Sequence, residues 1–227
     1  MTDLLPQSAA KTKCLPTYLV FDTSGSMEKH TQTLNDTLEF LYNSVVESPR
    51  VSEFAHMSII SFNNHAEVVV EMTDIQDLQA IPQFTCSGRT NYGAAFDLVR
   101  QRIDEDIPRL SASGKGVLRP AMFLMTDGIP TDEEATWDRA FKNLTAKDWR
   151  RHPHVISWGF GNADRDVLAR VATKGAFMAD AQTQEKEAIT EVIASMVRTL
   201  VASAKAEQLQ IPKDIEGFTT IPLEYMD

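Results

Sequence analysis

The sequence predicts an α/β protein: a mostly parallel central sheet with one antiparallel edge strand and helices on both faces. Three observations carry this. Short apolar runs alternate with amphipathic stretches of helical period along the chain, the pattern of a parallel sheet covered on both faces. Asn63-Asn64 supplies turn chemistry between two strand-like runs, which gives an edge hairpin. The 227 residues, 43% hydrophobic and 24% charged, suffice for one α/β domain with a well-buried core.

The elements follow in order. Thr17–Asp22 reads as the first strand. A helix over 31–47 presents Leu34, Leu38, Leu41, Tyr42 and Val45 on one face. His56–Asn63 is a strand, and Ala66–Met72 returns antiparallel to it. Gly93–Leu110 is a helix carrying Phe96, Val99 and Ile103, followed by the loop Ser113-Gly114-Lys115-Gly116. Pro120–Thr126 is the next buried strand. Thr131 or Asp132 can cap a helix running to about Trp149. His154–Gly159 is a strand, Asp164–Thr173 a helix with Asp164 at its N-cap, and Ala176–Ala179 a short last strand. Glu185–Ala204 is the clearest helix, with Ile189, Val192, Ile193, Met196, Val197 and Leu200 as its apolar stripe. After Gln208 the period fades. The tail reads either as a frayed end or as an extended segment packed on the domain or on a partner.

Composition excludes several function classes. With 22 basic and 32 acidic residues the formal charge is −10. Such a chain gains nothing from phosphate-backbone electrostatics, so no nucleic-acid partner is expected. No apolar run reaches the roughly 18 residues of a membrane span. Met1–Pro6 has neither a basic start nor a long apolar stretch, so no secretory signal is read there. Cys14 and Cys86 lack metal-ligand spacing and read as reduced thiols of a cytoplasmic protein. His30 can titrate near neutrality but reads as a surface histidine, and the remaining histidines show no ligand spacing. Trp137, Trp149 and Trp158 read as core or half-buried packing residues. Ser113–Gly116 lacks the full phosphate-loop pattern.

The chemistry lies at strand ends. Asp22-Thr23-Ser24-Gly25-Ser26 follows the apolar run Tyr18–Phe21 and puts one carboxylate and two hydroxyls on a tight turn. Oxygen donors of this kind suit a hard divalent cation, Mg²⁺ first, with Mn²⁺ or Ca²⁺ also admissible. In open α/β sheets, ligands bind outside the carboxyl ends of the strands. Asp127-Gly128 follows the strand ending at Thr126 and brings a second carboxylate to the same edge. The polar loop Cys86–Gly93 adds the Thr90 hydroxyl. Asp22, Ser24, Ser26, Thr90 and Asp127 thus form a candidate site of two carboxylates and three hydroxyls from three loops. An acidic side chain of a protein partner could complete the cation's coordination.

These residues, in this order and on these loops, resemble the von Willebrand factor A domain with its metal-ion-dependent adhesion site, D-x-S-x-S…T…D. The resemblance covers residues 15–204, leaving 1–14 as an N-terminal extension and 205–227 as a C-terminal tail. It implies a Rossmann-like fold and a metal-dependent protein-binding module rather than an enzyme. It also implies that Ser24, Ser26 and Thr90 touch the metal directly, while Asp22 and Asp127 act mainly through waters or one of them directly. The segments 16–27, 88–95 and 126–132 look like the bacterial TerY-like branch. Those proteins accompany tellurium-resistance stress systems and are encoded beside serine/threonine kinase and phosphatase partners. Met27-Glu28-Lys29-His30, where such proteins often have glycine, departs from that pattern.

Other roles compete for the same residues. Asp22 and Asp127 can serve as turn or capping residues, and Ser24, Ser26 and Thr90 can cap the helices after them. Asp132 reads as an N-cap rather than a ligand, and Arg89 and Lys29 as solvated rim charges. A Mg²⁺-dependent phosphatase or phosphotransferase also places an aspartate after its first strand, but needs a second carboxylate two residues on; here Ser24 stands there. A structural subunit with an incidental metal site is the third reading.

Overall fold

The computed structural model describes residues 11–78 and 80–223. The first ten residues of the expected N-terminal extension and the last four of the tail lie outside these. The strands are β1 (Lys13–Asp22), β2 (Ala55–Phe62), β3 (Ala66–Asp74), β4 (Gly116–Val117), β5 (Ala121–Thr126), β6 (His154–Gly159), β7 (Gly175–Ala179) and β8 (Phe218–Ile221). The helices are α1 (Thr31–Val46), α2 (Pro49–Phe54), α3 (Tyr92–Ala112), α4 (Glu134–Leu144), α5 (Arg165–Arg170) and α6 (Glu185–Ala206).

The sheet runs β3-β2-β1-β5-β6-β7-β8, with β4 paired to the start of β1. From β2 through β7 the neighbours on this path are parallel. The expected hairpin is present as antiparallel β2–β3. The tail adds a second antiparallel pairing: Phe218–Ile221 lies along β7. Of the two readings of the tail, the extended packed segment is the one observed over the described residues.

Because β1 is buried on both faces, its side chains serve two cores in alternation. Leu15, Leu19 and Phe21 join α1, α2 and α6 on one face. Cys14, Tyr18 and Val20 join α3 and α4 on the other. Cys14 and Cys86 are both free, buried and assigned to opposite cores. Trp137 and Trp158 are buried and Trp149 is half-buried.

Three expected element boundaries need correction. The shortest of these elements, α5, is capped by Asp164 as expected but ends at Arg170 rather than Thr173. β1 begins at Lys13 rather than Thr17 despite Pro16. On its β4/β5 side, paired residues stop at Cys14 and resume at Thr17, so Pro16 falls in the gap between two partners, where a missing N–H is tolerated. The helix expected to run to about Trp149 ends at Leu144, and its N-cap is Glu133 with no side-chain capping bond.

The topology fixes where a site can form. The chain leaves β1 for β2 and β3 on one side, then crosses by α3 to β5 on the other. The strand order therefore reverses at β1, and the crevice at the carboxyl ends of β1 and β5 is the switch point at which open α/β sheets bind ligands. β1 ends at Asp22 and β5 at Thr126.

Candidate metal centre

Asp22 is 0% exposed. Phe21 pairs with Met125 in the parallel ladder, so Asp22 and Thr126 stand side by side one step on. Each Asp22 oxygen accepts one bond: Oδ1 from the Ser24 backbone N–H at 2.9 Å, Oδ2 from the Thr126 hydroxyl at 2.6 Å. Burial raises its pKa to about 6, against the pull of the Thr126 and Ser24 donors. Asp127 is also buried, and burial raises its pKa too, partly offset by the Ser26 hydroxyl at 2.7 Å. Neither carboxylate has an ion pair among the described residues.

The three loops are tied into one unit by their backbones. Ser87 N–H donates to Thr23 O at 2.8 Å and Gly25 N–H to Gly88 O at 3.0 Å. Thr131 N–H donates to Thr90 O at 2.9 Å, and its hydroxyl accepts from Thr90 N–H at 3.1 Å. Gly88 holds φ +80 against the Asn64 amide, which lies 2.7 Å from where a Cβ would stand. Only glycine meets both conditions.

Ser24 sits at the N-cap of the short 3₁₀ turn Gly25–His30 with no side-chain capping bond. Its hydroxyl instead meets that of Ser26 at 3.1 Å. The cap of α3 is Asn91, whose side chain accepts from Ala94 N–H at 3.0 Å, and no hydrogen bond among the described residues uses the Thr90 hydroxyl. Thr90 Oγ1 and Ser26 Oγ both face Gly128: a methyl added there would lie 3.5 Å from the first and 3.9 Å from the second. Asp132 is a capping residue, but of α3 rather than α4. Its two oxygens accept from Tyr92 N–H at 3.2 Å and Gly93 N–H at 2.9 Å.

The donor set fits a hard cation. It is all oxygen, and its two buried carboxylates have no ion-pair partner among the described residues. Adjacent ligands of an octahedral Mg²⁺ lie roughly 2.9 Å apart for metal–oxygen distances of 2.0–2.1 Å. The observed spacings, 3.1 Å for Ser24–Ser26 and 2.7 Å for Ser26–Asp127, bracket that value. Among the described residues no group of three or more His, Cys, Asp or Glu side chains gathers for a softer metal.

Sequence reasoning missed three contributors. Thr126, the last residue of β5, holds Asp22; its neighbour in the Thr-Asp-Gly string was singled out, but the cross-strand bond is tertiary. Glu185, the first residue of α6, takes an ion pair from Lys29 and shares a hydrogen bond with His30 Nε2, each at 2.5 Å. Lys29 is therefore not a free rim charge, and the His30 side chain is 12% exposed rather than a surface one. Asn64 accepts from Arg89 N–H at 3.0 Å and anchors the Thr90 loop. Ile129, two residues after Asp127, is 54% exposed and leaves an apolar contact near the site.

Comparisons with known proteins agree with this fold. An uncharacterized protein of Synechocystis is 30% identical over 157 residues; the match takes in 68% of this chain, which spans about a third (34%) of that relative. Among solved structures, the pilus adhesin SpaC of Lactobacillus rhamnosus GG superposes with a TM-score of 0.63 at 16% identity, over 84% of this chain and 31% of that one. Proximal thread matrix protein 1 from the mussel byssus, with a zinc-occupied metal-ion-dependent adhesion site, gives 0.56 at 17%, over 84% and 48%. A von Willebrand factor type A protein of Catenulispora acidiphila gives 0.57 at 14%, over 83% and 43%. At these identities the superpositions show the fold alone. The family model for the von Willebrand factor type A domain matches residues 18–194, and the chain belongs to that family.

Proposed function

We propose that this protein is a non-enzymatic, metal-dependent protein-binding module. Asp22, Ser24, Ser26, Thr90 and Asp127 would hold a divalent cation, Mg²⁺ before Mn²⁺ or Ca²⁺, and an acidic side chain of a partner would complete its coordination. The observation that carries this reading is a pair of buried carboxylates with no ion-pair partner among the described residues, met by three hydroxyls at the topological switch point. Burying charge unpaired is costly. A divalent cation removes that cost, and neutral hydroxyls leave it attractive to one more anion. The cation, when bound, supplies the electrostatic attraction. The protein's part is to hold the Asp22 carboxylate through the Thr126 hydroxyl and the backbone of the Thr90 loop through the Thr131 and Asp132 bonds.

Against the phosphatase or phosphotransferase reading stands Ser24, where that chemistry needs a general acid/base. Ile129 beside the site favours a protein partner with an apolar residue near its carboxylate. The finer setting, a cytoplasmic scaffold or sensor in a tellurium-resistance, stress-response or kinase–phosphatase system, rests on the likeness of the three loop segments to the TerY-like branch. Among the described residues no helix is long and apolar enough to cross a membrane.

The experiment is affinity capture from lysate of the producing cells with Mg²⁺ or with chelator, using the wild type and Thr90→Ala. The Thr90 hydroxyl has no structural partner among the described residues, so its removal should leave the fold intact. The expected result is a set of proteins retained by wild type in Mg²⁺, released by chelator, and at least tenfold depleted on Thr90→Ala. Equal retention in all arms would refute the metal bridge and favour a structural subunit with an incidental metal site.

A further inference from the structure

The opposite edge of the sheet carries a feature that the metal site does not explain. At the amino ends of β1, β5 and β6 lies a cavity of about 410 Å³ lined by Lys11, Lys115, Arg119, Arg150 and Arg151, with Leu118 among its apolar walls. Its lining holds five of the chain's 22 lysines and arginines and, among the described residues, no carboxylate, although acids outnumber bases 32 to 22. Arg151 is paired with Asp104 at 2.9 Å. Lys11, Lys115, Arg119 and Arg150 have no ion pair among the described residues.

Like charges gathered around one cavity repel. Helix α3 ends beside it at Ala112, but a helix C-terminus offers only about half a negative charge, which answers part of one cation. The volume falls within the roughly 300–1,000 Å³ of small-molecule pockets.

We propose that this cavity is a second ligand site, taking a compact small molecule with two or more phosphate groups. Four unmatched cations call for several negative charges in a small volume. Linked phosphates supply these, whereas a peptide brings one carboxylate per residue and would need a segment longer than the cavity holds. Guanidinium forks match phosphate oxygens, and the apolar wall can receive an organic group. The loop's glycine N–H groups are already taken: Gly114 N–H is bonded to Ser111 O and Gly116 N–H to Thr12 O. Side-chain charge carries the recognition, so the loop needs none of the phosphate-loop pattern.

The test is calorimetric titration of the full chain, freed of divalent ions, with tripolyphosphate, a nucleoside triphosphate and a glutamate-rich peptide at fixed ionic strength. Wild type should bind tripolyphosphate saturably. Lys115→Glu and Arg119→Glu, both at accessible side chains, should each weaken binding at least tenfold, with Lys115→Gln and Arg119→Gln intermediate. Asp22→Asn should leave it unchanged, because the site is separate from the metal loops. Tighter binding of the nucleoside triphosphate would identify an organic phosphate as the ligand, and equal binding an inorganic one. No saturable binding at millimolar tripolyphosphate, tighter binding of the peptide, or loss on Asp22→Asn with none on Lys115→Glu would overturn the proposal.

Discussion

Asp22→Asn is expected to stabilise the metal-free protein while abolishing its response to Mg²⁺. Asp22 is wholly buried, and its folded-state pKa is raised from 3.8 to about 6, chiefly by burial. Because that pKa lies above the unfolded one, the neutral carboxyl favours folding. This contribution is complete below about pH 4 and is lost as pH rises through about 6. Above pH 6 the metal-free protein therefore carries a penalty on the order of 1–3 kcal/mol. Asparagine removes it: its oxygen still accepts from Ser24 N–H, and the Thr126 hydroxyl can turn to Gly128 O, 3.3 Å away. Thermal unfolding in chelator at pH 7.5 should show Asp22→Asn melting higher than wild type, by about 2–4 °C per kcal/mol. Added Mg²⁺ should raise the wild-type midpoint and leave the variant unmoved. The wild-type gain should grow as pH rises through about 6, since the cation binds the ionised carboxylate. A variant that melts lower in chelator, or one that still responds to Mg²⁺, would mean that Asp22 is held by something other than a cation.

Trp158→Ala is expected to cost about 3–5 kcal/mol, as large aromatic truncations in cores do. Trp158 is 0% exposed and stacks between Phe123 and Phe177, with ring centroids 5.7 Å apart and planes 22° apart on each side. It joins β5, β6 and β7 on the face covered by α6. A loss of that size is a large share of the roughly 5–15 kcal/mol that hold a domain folded. Trp158→Phe should cost far less, because it keeps the stack and deletes a buried indole N–H that has no partner among the described residues. Denaturant melts of both variants check this. A Trp158→Ala cost below about 1.5 kcal/mol would contradict the stacked core.

What could be read from the sequence follows the range of the forces involved. The apolar stripes of α1 and α6 and the β2–β3 hairpin are local patterns, and they stand within a residue or two of their expected positions. Asp22, Ser24, Ser26 and Asp127 were legible because they end or follow β1 and β5, whose carboxyl ends meet at one edge, and Thr90 because it lies on the polar loop that enters α3. Non-local pairings were not legible. Phe218–Ile221 becomes a strand only because β7 offers an edge. Asp132 looks like the cap of the helix after it and instead caps α3 across the crevice, because the Thr90–Thr131 bonds bring the two loops together. Glu185 begins a helix remote in sequence from Lys29 and His30, and no spacing rule connects them. The basic cavity collects residues from four separate stretches, so a chain of net charge −10 gave no sign of it.

The most direct measurement is anomalous diffraction from crystals soaked in Mn²⁺ and recorded at the manganese edge. One peak is expected within coordination distance of the hydroxyl oxygens of Ser24, Ser26 and Thr90, and absent from crystals of Asp22→Asn. A peak elsewhere, or none at these loops in millimolar Mn²⁺, would contradict the assignment of these residues as a metal site.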